Sequence, residues 1–315
     1  MSWEKEWLDN FRKIIVEYHK NRAPDPFMIW FRKKDAEGFF NDAFEKVLTI
    51  LIDARFDQRT TAKNALQNTV QVIQLGALKR EFLSPEELPY LIPRQGMAGE
   101  RWAALFRSSL QKLHELARII VSKRNWSASE LLALFQNVRV PYLGVKMSRL
   151  AVRLLYELIP TLRIDMRDYK IPIDSLVYRV LCRLGILDPY NDVYFGENSP
   201  ADLKAQSFAK AVFPESPHLL DEPLWATGRQ ANVGGHCYPK NPNCKGCIFN
   251  NICKRKFPYL DPTELGMNTS FKYKRTEGDT AYSRDENFDK KAQFAKFVEE
   301  LKQKGIRGEE YREKS

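Results

Sequence analysis

Four of the chain's five cysteines, Cys237, Cys244, Cys247 and Cys253, follow the pattern C-x6-C-x2-C-x5-C inside the segment HCYPKNPNCKGCIFNNIC. Thiolates this close along a chain suit one metal centre, either Zn²⁺ or a [4Fe–4S] cluster. The grouping is too compact for the disulfide framework of a secreted domain. Structural zinc usually takes two C-x2-C knuckles a dozen or more residues apart. Here a single knuckle, Cys244 and Cys247, is flanked by lone cysteines. Lys240, Lys245, Lys254, Arg255 and Lys256 crowd the same segment, a basic rim able to neutralise phosphates. His236, next to Cys237, reads as a solvated neighbour rather than a ligand, and Cys182, on an apolar helix face, as core.

The elements that must hold these thiols are helical. Apolar residues recur at helical spacing along most of the 315 residues, glycines number only 15, and strand alternation is scarce. A first helix is predicted over Trp3 to Lys20, ending at the Pro24-Asp25-Pro26 break. Others are predicted over Phe39 to Ala54, Gln58 to Ile73 and Glu100 to Ser122. Ser84-Pro85-Glu86-Glu87 and Ser127-Ala128-Ser129-Glu130 are capping boxes that each start a helix. Met147, Leu150, Ala151, Leu154, Leu155 and Leu158 form one buried stripe, and Ile173, Leu176, Val177, Val180, Leu181 and Leu184 form another. Further helices start at Ser199-Pro200 and near Glu222-Pro223. Residues 259–284 read as a polar arm and 286–303 as a last amphipathic helix. The net charge of +10 favours a polyanionic partner. No apolar run is long enough to cross a membrane, which predicts a soluble protein of a reducing cytoplasm.

Between the two striped helices and their predecessors lie two further motifs. Pro141-Tyr142-Leu143-Gly144-Val145-Lys146-Met147-Ser148 reads as a short hairpin whose backbone N–H groups, at a helix start, suit one phosphate. Asp174, in Ile171-Pro172-Ile173-Asp174-Ser175-Leu176-Val177-Tyr178-Arg179-Val180, is a carboxylate at a helix start, a position that also makes a good N-cap. Together with Arg183-Leu184-Gly185 and the cysteine ladder, these motifs resemble, in order, those of the helix-hairpin-helix DNA glycosylases that carry an iron–sulfur loop, the endonuclease III and adenine-mismatch glycosylase kind. The resemblance covers roughly residues 40–256 and is densest over 141–256. Gly144 and Val145 match the family hairpin, while Leu143 replaces its proline and Lys146 its second glycine.

The resemblance implies an all-α, two-lobed fold. A six-helix barrel lobe with the hairpin would span 38–164, a cluster lobe 1–37 and 165–258, and a C-terminal extension 259–315. It implies a [4Fe–4S] cluster on the four cysteines, with Zn²⁺ as the alternative. The partner would be double-stranded DNA bearing a damaged or mismatched base, bound by a monomer associated with the nucleoid. The reaction would be base excision: extrusion of the base and hydrolysis of its glycosidic bond, with Asp174 stabilising the oxocarbenium-like sugar. Members with lyase activity carry a lysine where this chain has Ser148, so the resemblance implies a monofunctional enzyme. Lys146, two residues earlier, keeps a bifunctional glycosylase/lyase open, and the substituted hairpin keeps a non-catalytic lesion binder open. By ungapped matching Arg55 takes the place of a glutamine that enters the duplex, with Gln58 close by, and Met97 takes the place of a wedge residue. Ile50 falls where the adenine-mismatch branch has its glutamate, which argues against adenine as target. Asp53 reads as a residue that faces a base edge or solvent. A third reading is a zinc-stabilised helical protein with an interaction tail.

Overall fold

The computed structural model describes residues 3–22, 25–57, 62–88, 91–92, 99–141, 143–188, 192, 197–229, 235–238 and 242–254, and the backbone of 273–275 and 282–284. Among these residues the chain is mostly helical, as the patterning predicts, and no helix is long and apolar enough to cross a membrane. The chain divides into two units, one formed by 22–172 and the other by 1–21 together with 173–315.

In the continuous unit the first helix is α2, Pro26–Ala36; α1, Lys5–Asn21, belongs to the other unit. Asp25 and Pro26, read above only as part of a break, start this helix. The Asp25 carboxylate accepts the Phe27 N–H at 2.8 Å, and Pro26 occupies the first helical position, where no N–H is needed. Helix α3, Ala43–Phe56, is the centre of the unit and is buried on every face from Val47 to Phe56. Each of its aliphatic side chains (Val47, Leu48, Ile50, Leu51, Ile52) contributes about 1.5–3 kcal/mol by leaving water. Around it pack α4 (Ala62–Gln74), α5 (Gly99–Val121) and α7 (Val145–Leu158). Ser84 does not start an α-helix. A single 3-10 turn forms at Pro85–Glu87, where the Glu87 carboxylate pairs with Arg80 at 2.7 Å.

Helix α6, Ala128–Val138, begins at the predicted capping box: Ser127 Oγ accepts the Glu130 N–H at 3.1 Å and Glu130 accepts the Ser127 N–H at 2.7 Å. Just before it runs β1, Asn125–Ser127, and after α7 comes β2, Arg163–Asp165. The two strands pair in parallel, with Trp126 opposite Ile164. Parallel strands need a crossover, and here the crossover is α6, the hairpin and α7. The strand pair therefore ties together the far ends of the two helices that present the hairpin.

The discontinuous unit contains α1 (Lys5–Asn21), α8 (Ser175–Leu184), α9 (Pro200–Val212), α10 (Asp221–Gly228) and the cysteine loop. Phe11 of α1 stands edge-on to Phe208 of α9 at 5.2 Å and stacks on Phe249 of the cysteine loop at 5.0 Å. Trp7 donates to the Ile252 carbonyl at 3.3 Å. The N-terminal helix is thus a lid on the cysteine segment, joined to it by aromatic packing that spacing along the chain does not reveal. A short antiparallel pair, β3 (Tyr273–Arg275) with β4 (Tyr282–Arg284), occurs in the stretch read as a polar arm. The helix expected over 286–303 lies outside the described residues.

Candidate cysteine centre, Asp174 and the hairpin

Helix α8 links two of the motifs. At its start Asp174 is the N-cap: its Oδ1 accepts the N–H groups of Leu176 and Val177, both at 2.9 Å. The cap fixes the carboxylate in a half-buried position. Farther along, two arginines buried to within 3% turn toward the cysteine loop. Arg179 donates to the carbonyls of Cys237 at 2.7 Å and Gly228 at 2.6 Å. Arg183 reaches Cys237 Sγ at 3.2 Å and the Tyr238 carbonyl, and its own carbonyl accepts from Cys253 Sγ at 3.4 Å. The helix ends at Gly185, whose φ of 77° favours glycine, and a Cβ there would also meet Lys254. Sequence matching singled out Arg179 and Arg183 only as family positions. Their role as donors to the cysteine segment appears only in three dimensions.

The cysteine loop is built from short turns. Thr227 O accepts the N–H groups of His236 and Cys237, and His236 O accepts Asn243 N–H at 2.9 Å, closing the six-residue insert. In the knuckle, Cys247 N–H bonds Cys244 O at 3.1 Å, and Cys253 N–H bonds Phe249 O at 2.8 Å. All four thiols are free of disulfides. Burial pushes the Cys247 thiol up to about 12. The Phe249 N–H opposes this, and negative charge on Cys237, Cys253 and Cys244 adds to it. Arg183 touches both Cys237 and Cys253, and the Cys247 N–H bonds the Cys244 carbonyl, contacts that link the four cysteines in two pairs. Among the described residues no three His, Cys, Asp or Glu side chains are spaced to grip a single metal ion. There are four thiols, two buried arginines beside them, and a buried His236 Nδ1 that has no hydrogen-bond partner in the protein. His236, expected to be a solvated neighbour, is half-buried: its ring packs on Gly246, where a Cβ would stand 2.7 Å from Cε1 and 2.9 Å from Nδ1. Cys182 is fully buried, as expected, and burial raises its thiol pKa well above the usual value. Lys245 and Lys254 are exposed on the rim, while Lys240, Arg255 and Lys256 lie outside the described residues.

In the other unit, α6 ends at Arg139 in the left-handed region, φ 50°, and Leu143 N–H bonds the Val140 carbonyl at 3.1 Å. Gly144 caps α7 without a side-chain acceptor, and a Cβ placed on it meets nothing within 4 Å. Val145 and Lys146 are exposed in the first turn. The α7 N-terminus thus presents backbone N–H groups, a cation and open space. Ser148 is only 3% exposed and donates to Leu143 O at 3.3 Å. It holds the hairpin in shape and does not offer its hydroxyl to a ligand.

The end of α3 differs from the sequence expectation. Arg55 is fully buried rather than projecting, with its guanidinium 4.4 Å from the Trp102 ring and its Nε 3.4 Å from Ser109 Oγ. Ser109 in turn bonds the Pro141 carbonyl at the hairpin. Because α3 is enclosed on every face, a residue at this position braces the core beneath the hairpin. Asp53 faces neither solvent nor an open groove; it is buried and accepts from Thr69 Oγ1 at 3.0 Å. Desolvation, then the Asp57 charge, raises its pKa well above the usual carboxylate value. Asp57, half-buried at the helix end, is raised to about 6 by burial, against the pull of Lys146 and Arg153 and with a push from Asp25. Gln58 and Met97 lie outside the described residues. An open groove of about 930 Å³ beside β1 and β2, lined by Trp126, Tyr156 and Arg163 among others, includes the capping-box residues Ser127 and Glu130 but none of the cysteines, Asp174 or the hairpin residues.

Compared with models of protein families and with curated proteins, the chain matches none.

Proposed function

We propose that the protein is a DNA N-glycosylase of the helix-hairpin-helix kind, acting in base excision repair on duplexes with a damaged or mismatched base. The observation that carries the reading is the join made by α8, which begins at Asp174 and ends in Arg183 against Cys237 and Cys253. The hairpin, its buried helix, an Asp-capped helix and the cysteine ladder follow one another along the chain in the order of that family. In this reading Cys237, Cys244, Cys247 and Cys253 hold a [4Fe–4S] cluster, which when bound shapes and braces the basic segment around it. The N–H groups of α7 at Gly144 and Val145, with Lys146, take a phosphate of one strand. Asp174 stabilises the cationic sugar as the base departs and orients the attacking water.

A second reading makes the enzyme bifunctional. Lys146 is exposed in the first turn of α7 beside the Asp57 carboxylate. Its amine, once deprotonated, would attack the sugar aldehyde carbon, lose water and form an imine. Ser148, buried beneath it, takes no part in such a step.

The deciding experiment is a single-turnover assay on duplexes carrying a panel of oxidised, deaminated, alkylated and mismatched bases, followed by heating in alkali. Abasic sites that appear only after alkali support the monofunctional enzyme. Strand scission without alkali, lost in Lys146→Met, moves the assignment to the second reading. Tight lesion binding with no abasic product from any duplex overturns both. Iron and acid-labile sulfide analysis tests the cofactor separately; a protein loaded with zinc alone removes the cluster.

A further inference from the structure

Among the described residues, the cysteine segment holds a buried polar atom without a hydrogen-bond partner. Nδ1 of His236 is buried and has no hydrogen-bond partner, although the backbone on both sides of the residue is fully engaged, N–H to Thr227 O and carbonyl to Asn243 N–H. Those two bonds fix where the ring goes. It lies on Gly246, between Cys244 and Cys247, at a distance that only a residue without a side chain permits. Buried polar atoms in folded proteins are paired with great regularity, so an orphan at a ligand-binding segment points to a partner that belongs to the ligand. The thiols of Cys244 and Cys247 are not that partner, since neither is in hydrogen-bonding reach of Nδ1.

We propose that His236 is a positioning residue for the centre: in the tautomer that carries hydrogen on Nδ1, it donates an N–H···S hydrogen bond to an inorganic sulfide of the group held by the Cys244–Cys247 knuckle. This rests on the cluster reading above and assigns the residue a specific role within it. A donor on sulfide withdraws electron density and favours the more reduced form of the centre, so the hydrogen bond raises the reduction potential. Gly246 is part of the same device, because any side chain there displaces the imidazole.

The test is voltammetry of the full-length holoprotein on a DNA-modified electrode, alongside iron and sulfide analysis. His236→Ala is expected to lower the midpoint so that the reduced-to-oxidised ratio at a fixed potential falls about tenfold, about 59 mV for a one-electron couple. His236→Asn, which places an amide N–H near the Nδ1 position, is expected to recover part of that shift, and Gly246→Ala to reproduce the loss. An unchanged midpoint in fully loaded His236→Ala overturns the inference and leaves the cluster standing. Absence of iron and sulfide in the wild-type protein overturns the cluster reading and this inference with it. Should the variants fail to load, resonance Raman of the wild-type centre decides: Fe–S(bridging) frequencies that do not shift between H₂O and D₂O exclude the hydrogen bond.

Discussion

Nη1 of Arg183 stands 3.2 Å from Sγ of Cys237, and both side chains are more than nine-tenths buried. The guanidinium also serves the Tyr238 carbonyl, so one charged group fixes the first cysteine and the residue after it. Arg183→Met keeps the apolar stem and removes the donors. Leaving a buried carbonyl and sulfur unserved is expected to cost about 2 kcal/mol, read as a lower urea-unfolding midpoint, together with reduced metal content on purification. Arg183→Lys, a point charge without the planar fork, should lie between the two. Wild-type stability and metal content in Arg183→Met would show that the cysteine segment is organised without α8.

Asp174 caps α8 and is also the proposed catalytic carboxylate, and the two roles separate by substitution. Asparagine caps a helix about as well as aspartate. Asp174→Asn is therefore expected to change stability by less than about 0.5 kcal/mol, while slowing single-turnover base release by about 10²–10⁴-fold. Asp174→Ala should lose the cap as well, at about 1 kcal/mol. If Asp174→Asn excises at the wild-type rate, the carboxylate is a cap and nothing more.

The parts of the fold that follow from local rules were legible in the sequence. The Ser127–Glu130 capping box, the α7 stripe of Met147, Ala151, Leu155 and Leu158, and the Asp174 N-cap follow from spacing and capping chemistry alone. The start of α2 at Asp25-Pro26 obeys the same rules, but a proline on either side of Asp25 hides it as a break. Charged residues inside apolar runs were the main source of error. Along the sequence Arg55 matches a residue that enters the duplex and Asp53 reads as facing a base edge or solvent, yet α3 is enclosed, and Thr69, Trp102 and Ser109 from two other helices receive them. No pattern within one helix reports partners supplied by its neighbours. The same holds for Arg149, which is buried in α7 and donates to the Ile171 carbonyl at 2.8 Å. The cysteine ladder was legible as a set of candidate ligands, and the arginines, Phe11 and His236 packed around that segment were not.

The Asp57 carboxyl gives the protein a pH-dependent stability of predictable sign. Its folded pKa, about 6, lies above the ordinary value of 3.8, so the folded chain binds this proton more tightly than the unfolded chain does. The resulting stabilisation is complete below pH 3.8 and is lost as pH rises through about 6. The shift corresponds to an upper bound of about 3 kcal/mol, reduced by the partial exposure of the side chain. Asp53 is raised in the same direction, Asp25 adds repulsion, and Lys146 and Arg153 oppose it. Asp57→Asn is expected to be more stable than wild type at neutral pH, with the difference closing toward pH 4. Lys146→Met in the wild-type background should move the transition to higher pH. Parallel urea-midpoint curves for wild type and Asp57→Asn between pH 4 and 8 would rule out titration of Asp57 in that range.

Gly144 offers a test in which stability and binding move in opposite directions. Its φ of −72° is open to any residue, and a Cβ there points into free space. A serine at this N-cap accepts an N–H from the first turn of α7, so Gly144→Ser is expected to raise stability by about 0.3 kcal/mol. That same N–H is then taken from an incoming phosphate, and the added side chain stands where a strand would approach the backbone. Duplex affinity should fall by about tenfold, about 1.4 kcal/mol, at one salt concentration. Lys146→Met should instead lower the slope of log K against log[salt] by about one phosphate's worth, because it removes a cation and leaves the N–H groups in place. Fluorescence anisotropy over a salt series distinguishes the two effects. Wild-type affinity in Gly144→Ser, with the expected gain in stability, would mean that the exposed start of α7 is not where DNA binds.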